Sequence, residues 1–241
     1  MAYKKALAVA AGMILATAAH AQSAGSNIVS LGWFRVMPNS SSDPLQIDSV
    51  GGVPLNQSVP NTGAKIKDAD TLGLAFTHFF TDNLAVELVG GIPPRHKIEG
   101  TDSFARFGQI GSAKQWSPTL LAKWYFGGAD SKFRPYVGAG LNYTWFTDEK
   151  ITNSAFQTQV LGSGFPSTST VSTDSSLNPV VSAGATYAIT KDWFLGLSVS
   201  YLPLKTTAKI DTTLANGQHA VTEAKIKINP IVTFLWVGYR F

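Results

Sequence analysis

The sequence predicts an all-β chain: an eight-stranded antiparallel transmembrane β-barrel with short periplasmic turns and long extracellular loops. Three observations carry this. Charged residues make up 14% of the chain, against about 25% in an average soluble domain. After the N-terminal segment no apolar run approaches the roughly 20 residues of a spanning helix, so a closed sheet is the remaining way to satisfy a backbone in lipid. The last strand, finally, has one greasy parity (Leu235, Val237, Tyr239, Phe241), with Trp236, Gly238 and Arg240 between. That pattern suits a closing barrel strand with aromatics at the membrane rim, and Tyr239 and Phe241 are the expected C-terminal assembly signal.

At the other end Lys4 and Lys5 precede an apolar stretch, Ala6 to Ala18, and Ala19-His20-Ala21 has a small-x-small pattern. This reads as a secretory signal peptide over residues 1–21, cleaved before Gln22, too short to span a membrane. Residues 22–241 are then one barrel domain. The formal net charge of +4 is small and scattered, which argues against nucleic acid as a partner. There is no cysteine, hence no disulfide framework and no thiolate metal site.

Eight period-two runs follow, separated by turn signals. They are Ile28–Met37, Ile66–Phe80, Leu84–Ile92, Pro118–Phe126, Arg134–Phe146, Asn178–Ile189, Trp193 to about Lys209, and Glu223–Phe241. In the fifth, Val137, Ala139, Leu141, Tyr143 and Trp145 alternate with Gly138, Gly140, Asn142 and Thr144. The connections Thr81-Asp82-Asn83, Gly127 to Lys132 and Thr190-Lys191-Asp192 are tight. Those near 38–65, 99–116 and 149–177 are long and polar, and Ala215-Asn216-Gly217-Gln218 is an Asn-Gly turn of intermediate length. An even strand count puts both termini on the short-turn, periplasmic side.

A soluble eight-stranded barrel would turn its greasy parity inward and show charged residues to water. Here the other parity is rich in Gly, Ala, Ser and Thr, which suits a crowded small-barrel interior. Trp33, Trp116, Trp124, Trp145 and Trp193 fall on the outward parity, Trp124 and Trp193 beside short turns and the rest nearer long loops, as two aromatic girdles.

Several segments are similar to the outer-membrane protein W family (OmpW, including the AlkL-like alkane-uptake branch). They are Pro118-Thr119-Leu120-Leu121-Ala122-Lys123-Trp124-Tyr125-Phe126, Arg134-Pro135-Tyr136-Val137-Gly138-Ala139-Gly140-Leu141-Asn142-Tyr143-Thr144, Ile228-Asn229-Pro230, and Val237-Gly238-Tyr239-Arg240-Phe241. The resemblance spans nearly all of the predicted mature chain in the same order. It implies a monomeric eight-stranded barrel in the bacterial outer membrane. It also implies a narrow, largely apolar lumen that passes small hydrophobic molecules, with a lateral outlet through the wall.

The inward parity supplies the expected lining: Phe34, Val36, Phe79, Val89, Leu121, Tyr125, Tyr136, Phe194, Leu202, Val232, Phe234 and Trp236, with Leu204 beside them. A greasy solute suits such a lining; side chains that simply fill the barrel are the other reading. Glu87 and Lys123 share the inward parity of neighbouring strands at similar depth near the periplasmic end. An ion pair is expected there, either structural or a plug that blocks straight passage, with Arg134 placed to join it. Pro230 sits inside the eighth run, where the greasy parity changes from even (Ile226, Ile228) to odd (Ile231, Leu235). A bulge with a register change or a break in the wall would each account for it.

No catalytic, cofactor or metal site is expected. His78, His96 and His219 are far apart and lack metal-ligand spacing, and no Ser and His share a face convincingly. Gly51-Gly52 and Gly127-Gly128 are turns, since no P-loop lysine follows. The expected partners are outer-membrane lipid and lipopolysaccharide, small hydrophobic solutes and, during biogenesis, the barrel-assembly machinery. The competing function is a structural or receptor barrel whose long loops bind surface partners; a lipid-modifying enzyme is a distant third.

Overall fold

In the computed structural model residues 22–241 are described; the expected signal peptide, 1–21, lies outside the described residues. Eight antiparallel strands form the barrel: β1 (Asn27–Pro38), β2 (Ala69–Phe79), β3 (Leu84–Gly91), β4 (Thr119–Tyr125), β5 (Phe133–Ile151), β6 (Ser176–Ala188), β7 (Trp193–Tyr201) and β8 (Pro230–Arg240). Each pairs with the next, and β8 returns to β1 over Ile28↔Arg240 to Pro38↔Pro230, so the ring has no free edge. Closure is what lets every strand satisfy its ladder without water.

Side chains sort by parity. Leu31, Leu72, Leu74, Leu88, Leu120, Leu141, Leu197 and Leu235 all project outward and are about half exposed, while Ser30, Thr77, Ser182 and Ser198 are buried inside. A continuous outer band of this kind far exceeds the apolar patches of soluble monomers. It is the lipid-facing belt of a transmembrane barrel. Trp124 and Trp193 mark its lower rim. Trp33, Trp116 and Trp145 mark its upper rim, where Trp116 and Trp145 stack at 5.7 Å. The start of β1 and the end of β8 sit at the short-turn side, where the Asn27 carbonyl accepts from the Phe241 amide at 3.0 Å.

Glycine makes room for the inward aromatics. Gly32 and Gly196 flank Trp236 on the neighbouring strands, and a Cβ on either would overlap the Trp236 residue. Gly73 lies under Phe34 in the same way.

The long connections are not irregular. The outer half of β5 pairs with strand Gln109–Trp116, which pairs with Arg95–Asp102, which pairs with Thr62–Ile66. A second outer sheet joins Val53–Ser58, Gln46–Val50, His219–Lys227, Lys205–Thr213 and Thr168–Thr173. The seventh and eighth runs therefore each divide, at Leu202–Leu204 and at Ile228–Asn229. Pro203 has no amide to donate, and Asn229 adopts φ 39°.

No bulge or register change accompanies this break. Tyr201↔Ile231 below it and Lys205↔Lys227 above it lie on one continuous register. Ile226, Ile228 and Phe234 all point inward. The greasy parity changes sides because the exterior changes. Lipid meets Ile231 and Leu235 below the break, whereas Lys225 and Lys227 stand outside above it.

Candidate functional site: an apolar cavity over a closed floor

The upper half of the barrel encloses a cavity of about 370 Å3. Of the expected lining residues, Phe34, Val36, Val89, Leu121, Leu202, Val232 and Phe234 meet around it. Phe34 and Phe234 face each other across the β1–β8 ladder and stack, with ring centroids 4.0 Å apart. Leu204 packs with Leu121, Val180 and Leu202 beside the cavity, filling the wall where β7 stops. Phe79, Tyr125, Tyr136, Phe194 and Trp236 do not reach it. They pack together below, as a solid layer at the periplasmic end.

Between cavity and layer lies the expected ion pair. Lys123 Nζ is 2.5 Å from Glu87 Oε1, and both side chains are almost wholly buried. The pair is diagonal on neighbouring strands, since Lys123 stands opposite Ala85 and Glu87 opposite Leu121. The Thr77 hydroxyl donates to the second carboxylate oxygen at 2.8 Å, and the ammonium sits 4.3 Å above the Tyr136 ring. Each charge thus has a counter-charge and a further polar or π contact, as burial demands.

Arg134 does not join this pair. It lies one layer lower, 5.3 Å over the Tyr125 ring, and Tyr125 packs on Tyr136 at 4.9 Å. Its guanidinium donates to the carbonyls of Gln22 (3.0 Å) and Asp82 (2.6 Å) and to Gln22 Oε1 (3.3 Å). Gln22 Nε2 in turn donates to the Thr186 hydroxyl at 3.1 Å. Ion pair, aromatic layer and arginine cap follow one another in that order toward the periplasmic end.

The cavity meets the wall elsewhere. The β3–β4 ladder ends at Val89↔Thr119, and the next cross-strand bond is from the Gln115 amide to the Pro94 carbonyl, at 3.0 Å. Between them Gly90 to Pro93 and Trp116 to Pro118 all line the cavity, and Ile92 is 61% exposed on the outside. Pro93 and Pro118 carry no amide hydrogen for a ladder. At Pro230, where the sequence allows a bulge or a break in the wall, the strand divides just before the proline, yet cross-strand bonds continue: Pro230 is paired opposite Pro38, and its carbonyl accepts from the Leu202 amide at 3.2 Å. The Gly90-Gly91-Ile92-Pro93-Pro94 run is the signal that sequence reasoning passed over.

Tyr239 and Phe241 face outward at the lower rim, with Tyr239 5.1 Å from Trp193. Among the described residues no cluster of His, Asp and Glu is arranged to hold a metal. His78 Nδ1 meets Asn27 Oδ1 and His219 Nδ1 meets Asp211, each at 2.8 Å. His96 is buried in the outer sheet. Burial pushes its pKa down from the ordinary value, while the Lys67 carbonyl, Gln115 and Asp68 oppose this. On the outer face Asp148 is surrounded by Lys150, Arg95 and Lys114, which hold its carboxyl well below the usual carboxylate range.

A closed eight-stranded sheet, a lipid-facing belt between aromatic rims and an internal apolar cavity define an outer-membrane β-barrel. The comparisons with known proteins narrow this further. The OmpW family model matches residues 23–241, and the chain belongs to that family. It is 37% identical over 179 residues to outer membrane protein W of Escherichia coli (strain K12), covering 74% of this chain and 76% of that protein. It is 27% identical over 200 residues to the dibenzothiophene metabolism operon protein PahQ of Pseudomonas aeruginosa, covering 82% and 84%. The crystal structure of OprG from Pseudomonas aeruginosa superposes with a TM-score of 0.76 at 28% identity, covering 91% of this chain and 97% of that one.

Proposed function

We propose that this barrel is a passive conduit for small hydrophobic molecules, which reach the cavity from the extracellular side and leave sideways into the bilayer between β3 and β4. The observation that carries the reading is the cavity itself: apolar, about 370 Å3, above a floor sealed by Glu87, Lys123 and the tyrosine layer, and reaching the wall where the ladder lapses. The lining is mostly apolar, with the side chains of Gln115, Ser117, Asn142, Ser182, Ser198 and Ser200 set among the greasy ones; it offers an ion or sugar few partners, but it offers a hydrocarbon the transfer energy of about 25 cal/mol per Å2 buried. The family resemblance points the same way. So does the name of the relative PahQ, which ties that protein to the metabolism of a greasy aromatic compound. In this reading the Glu87–Lys123 pair diverts the solute from the axis, and the barrel performs no catalysis. Lipid and lipopolysaccharide surround its belt, and Tyr239 and Phe241 present the outward aromatic ending to the assembly machinery.

Uptake of a hydrophobic fluorescent probe by cells or liposomes tests this. The wild-type protein should raise the rate. Phe234→Arg should lower it by placing a charge in the lining. Gly90→Trp should lower it at the side mouth, where an added Cβ meets nothing within 4 Å. Equal rates with and without the protein would reject the conduit and leave the structural or receptor barrel.

A further inference from the structure

The outer strands enclose a second cavity, of about 110 Å3. Its wall includes Leu45, Phe104, Ile110, Phe156 and Ile210, which belong to one buried apolar cluster. Most polar side chains on that wall already have partners. Ser42 Oγ accepts the Ala64 amide at 2.8 Å, and Ser112 Oγ accepts from Arg95 at 3.2 Å. The Thr206 hydroxyl donates to the Asp174 carbonyl at 2.9 Å, and that of Thr173 to Glu149.

His96 differs. It is 2% exposed; the Gln115 side chain lies near the ring, but Nε2 makes no hydrogen bond of ordinary geometry. Its Nδ1 lies 2.9 Å from the Lys67 carbonyl oxygen. A carbonyl only accepts, so Nδ1 carries the proton and Nε2 of the neutral ring is a bare acceptor. Among the described residues it is the one buried, unpartnered side-chain atom on this wall. Water is a poor occupant, because a buried water needs two to four polar partners.

We propose that this outer cavity binds a small apolar molecule bearing a single hydroxyl donor, a phenol or short-chain alcohol, whose O–H is accepted by His96 Nε2. The size agrees with the chemistry. An apolar cavity of about 150 Å3 takes up benzene, so a volume of about 110 Å3 sets one small ring or a short chain as the upper limit. A plain hydrocarbon leaves Nε2 unmet, and a polyol brings hydroxyls that find no partner. The site belongs to the outer strands alone and does not rest on the conduit reading.

The test uses the protein folded in lipid nanodiscs with 15N-labelled histidine, titrated with phenol and with toluene, which share a ring and differ in hydroxyl against methyl. Phenol should move the His96 Nε2 resonance saturably and leave His78 and His219 unmoved; toluene should not move it. Relative to partitioning into empty nanodiscs, phenol should bind about tenfold tighter than toluene, the worth of one neutral hydrogen bond. His96→Phe should bring that ratio to about one. A His96 resonance indifferent to phenol overturns the proposal, and so does a His96→Phe protein that keeps the preference. The wild-type titration stands by itself if the variant fails to fold. Should probe uptake fail while the His96 resonance moves, the conduit reading falls and this site remains.

Discussion

Removing one half of the Glu87–Lys123 pair should cost far more than removing both. Lys123→Met leaves the Glu87 carboxylate 3% exposed, with the Thr77 hydroxyl at 2.8 Å as its remaining side-chain partner. Stranding one member of a buried pair costs about 3–5 kcal/mol, whereas replacing both by apolar residues of similar volume is often neutral or stabilising. The double variant Glu87→Leu/Lys123→Met should therefore regain most of what either single variant loses. The exposed pair Lys65–Glu99, at 3.4 Å, sets the contrast, since pairs of that kind are worth about 0–1 kcal/mol. Urea unfolding in lipid vesicles of the wild type, both single variants and the double measures the coupling. Single variants within about 0.5 kcal/mol of wild type, the range of ordinary surface substitutions, would refute the reasoning. Water would then reach the pair, and it could not seal the floor.

Three further outcomes follow from the packing. Gly196→Leu should destabilise the barrel by about 1–3 kcal/mol, because its Cβ meets the Trp236 ring and overpacking costs that much; the urea midpoint reads it. Phe241→Ser should lower the folded fraction recovered from cells, seen as loss of the heat-modifiable band on gels, while refolding in vesicles changes less. His96 should make the outer sheet sensitive to acid. Its folded pKa lies below the unfolded value of about 6.5, so its contribution is complete above that pH and is lost as pH falls through the lowered value. Hydrogen exchange at the Lys67 amide, bonded to the Lys97 carbonyl at 2.9 Å, should speed up over that window and not above it.

The barrel was legible because each strand carries two solvents on its two faces. Leu72, Leu74 and Phe76 against Gly73 and Ala75 can be sorted with no knowledge of neighbours, and the tight turn at Thr81-Asp82-Asn83 needs only local chemistry. The outer sheets were not legible. Thr168–Thr173 has no greasy face, and it becomes a strand by pairing with Thr213 to Ala208, some forty residues away. The parity change around Pro230 suggests a bulge with a register change or a break in the wall, but it comes from lipid giving way to water outside an unbroken register. The lapse in the β3–β4 ladder falls at Gly90 to Pro94, yet glycine and proline mark a turn as readily as a gap. Only the tertiary structure shows that the opposing Trp116 to Pro118 makes no ladder bond to them.

The sequence by itself thus determined the all-β class, the inward parity of Phe34, Glu87, Lys123 and Phe234, and the end of the barrel at which the ion pair lies. Period-two alternation and turn length are local properties of the chain. Tertiary structure decided which inward side chains line a space and which fill one. It left Tyr125 and Tyr136 packed in the floor, Arg134 on backbone carbonyls instead of Glu87, and His96 Nε2 without a partner. Those outcomes depend on how strands are staggered around a closed ring, where each inward residue meets side chains from across the barrel that no stretch of its own strand specifies.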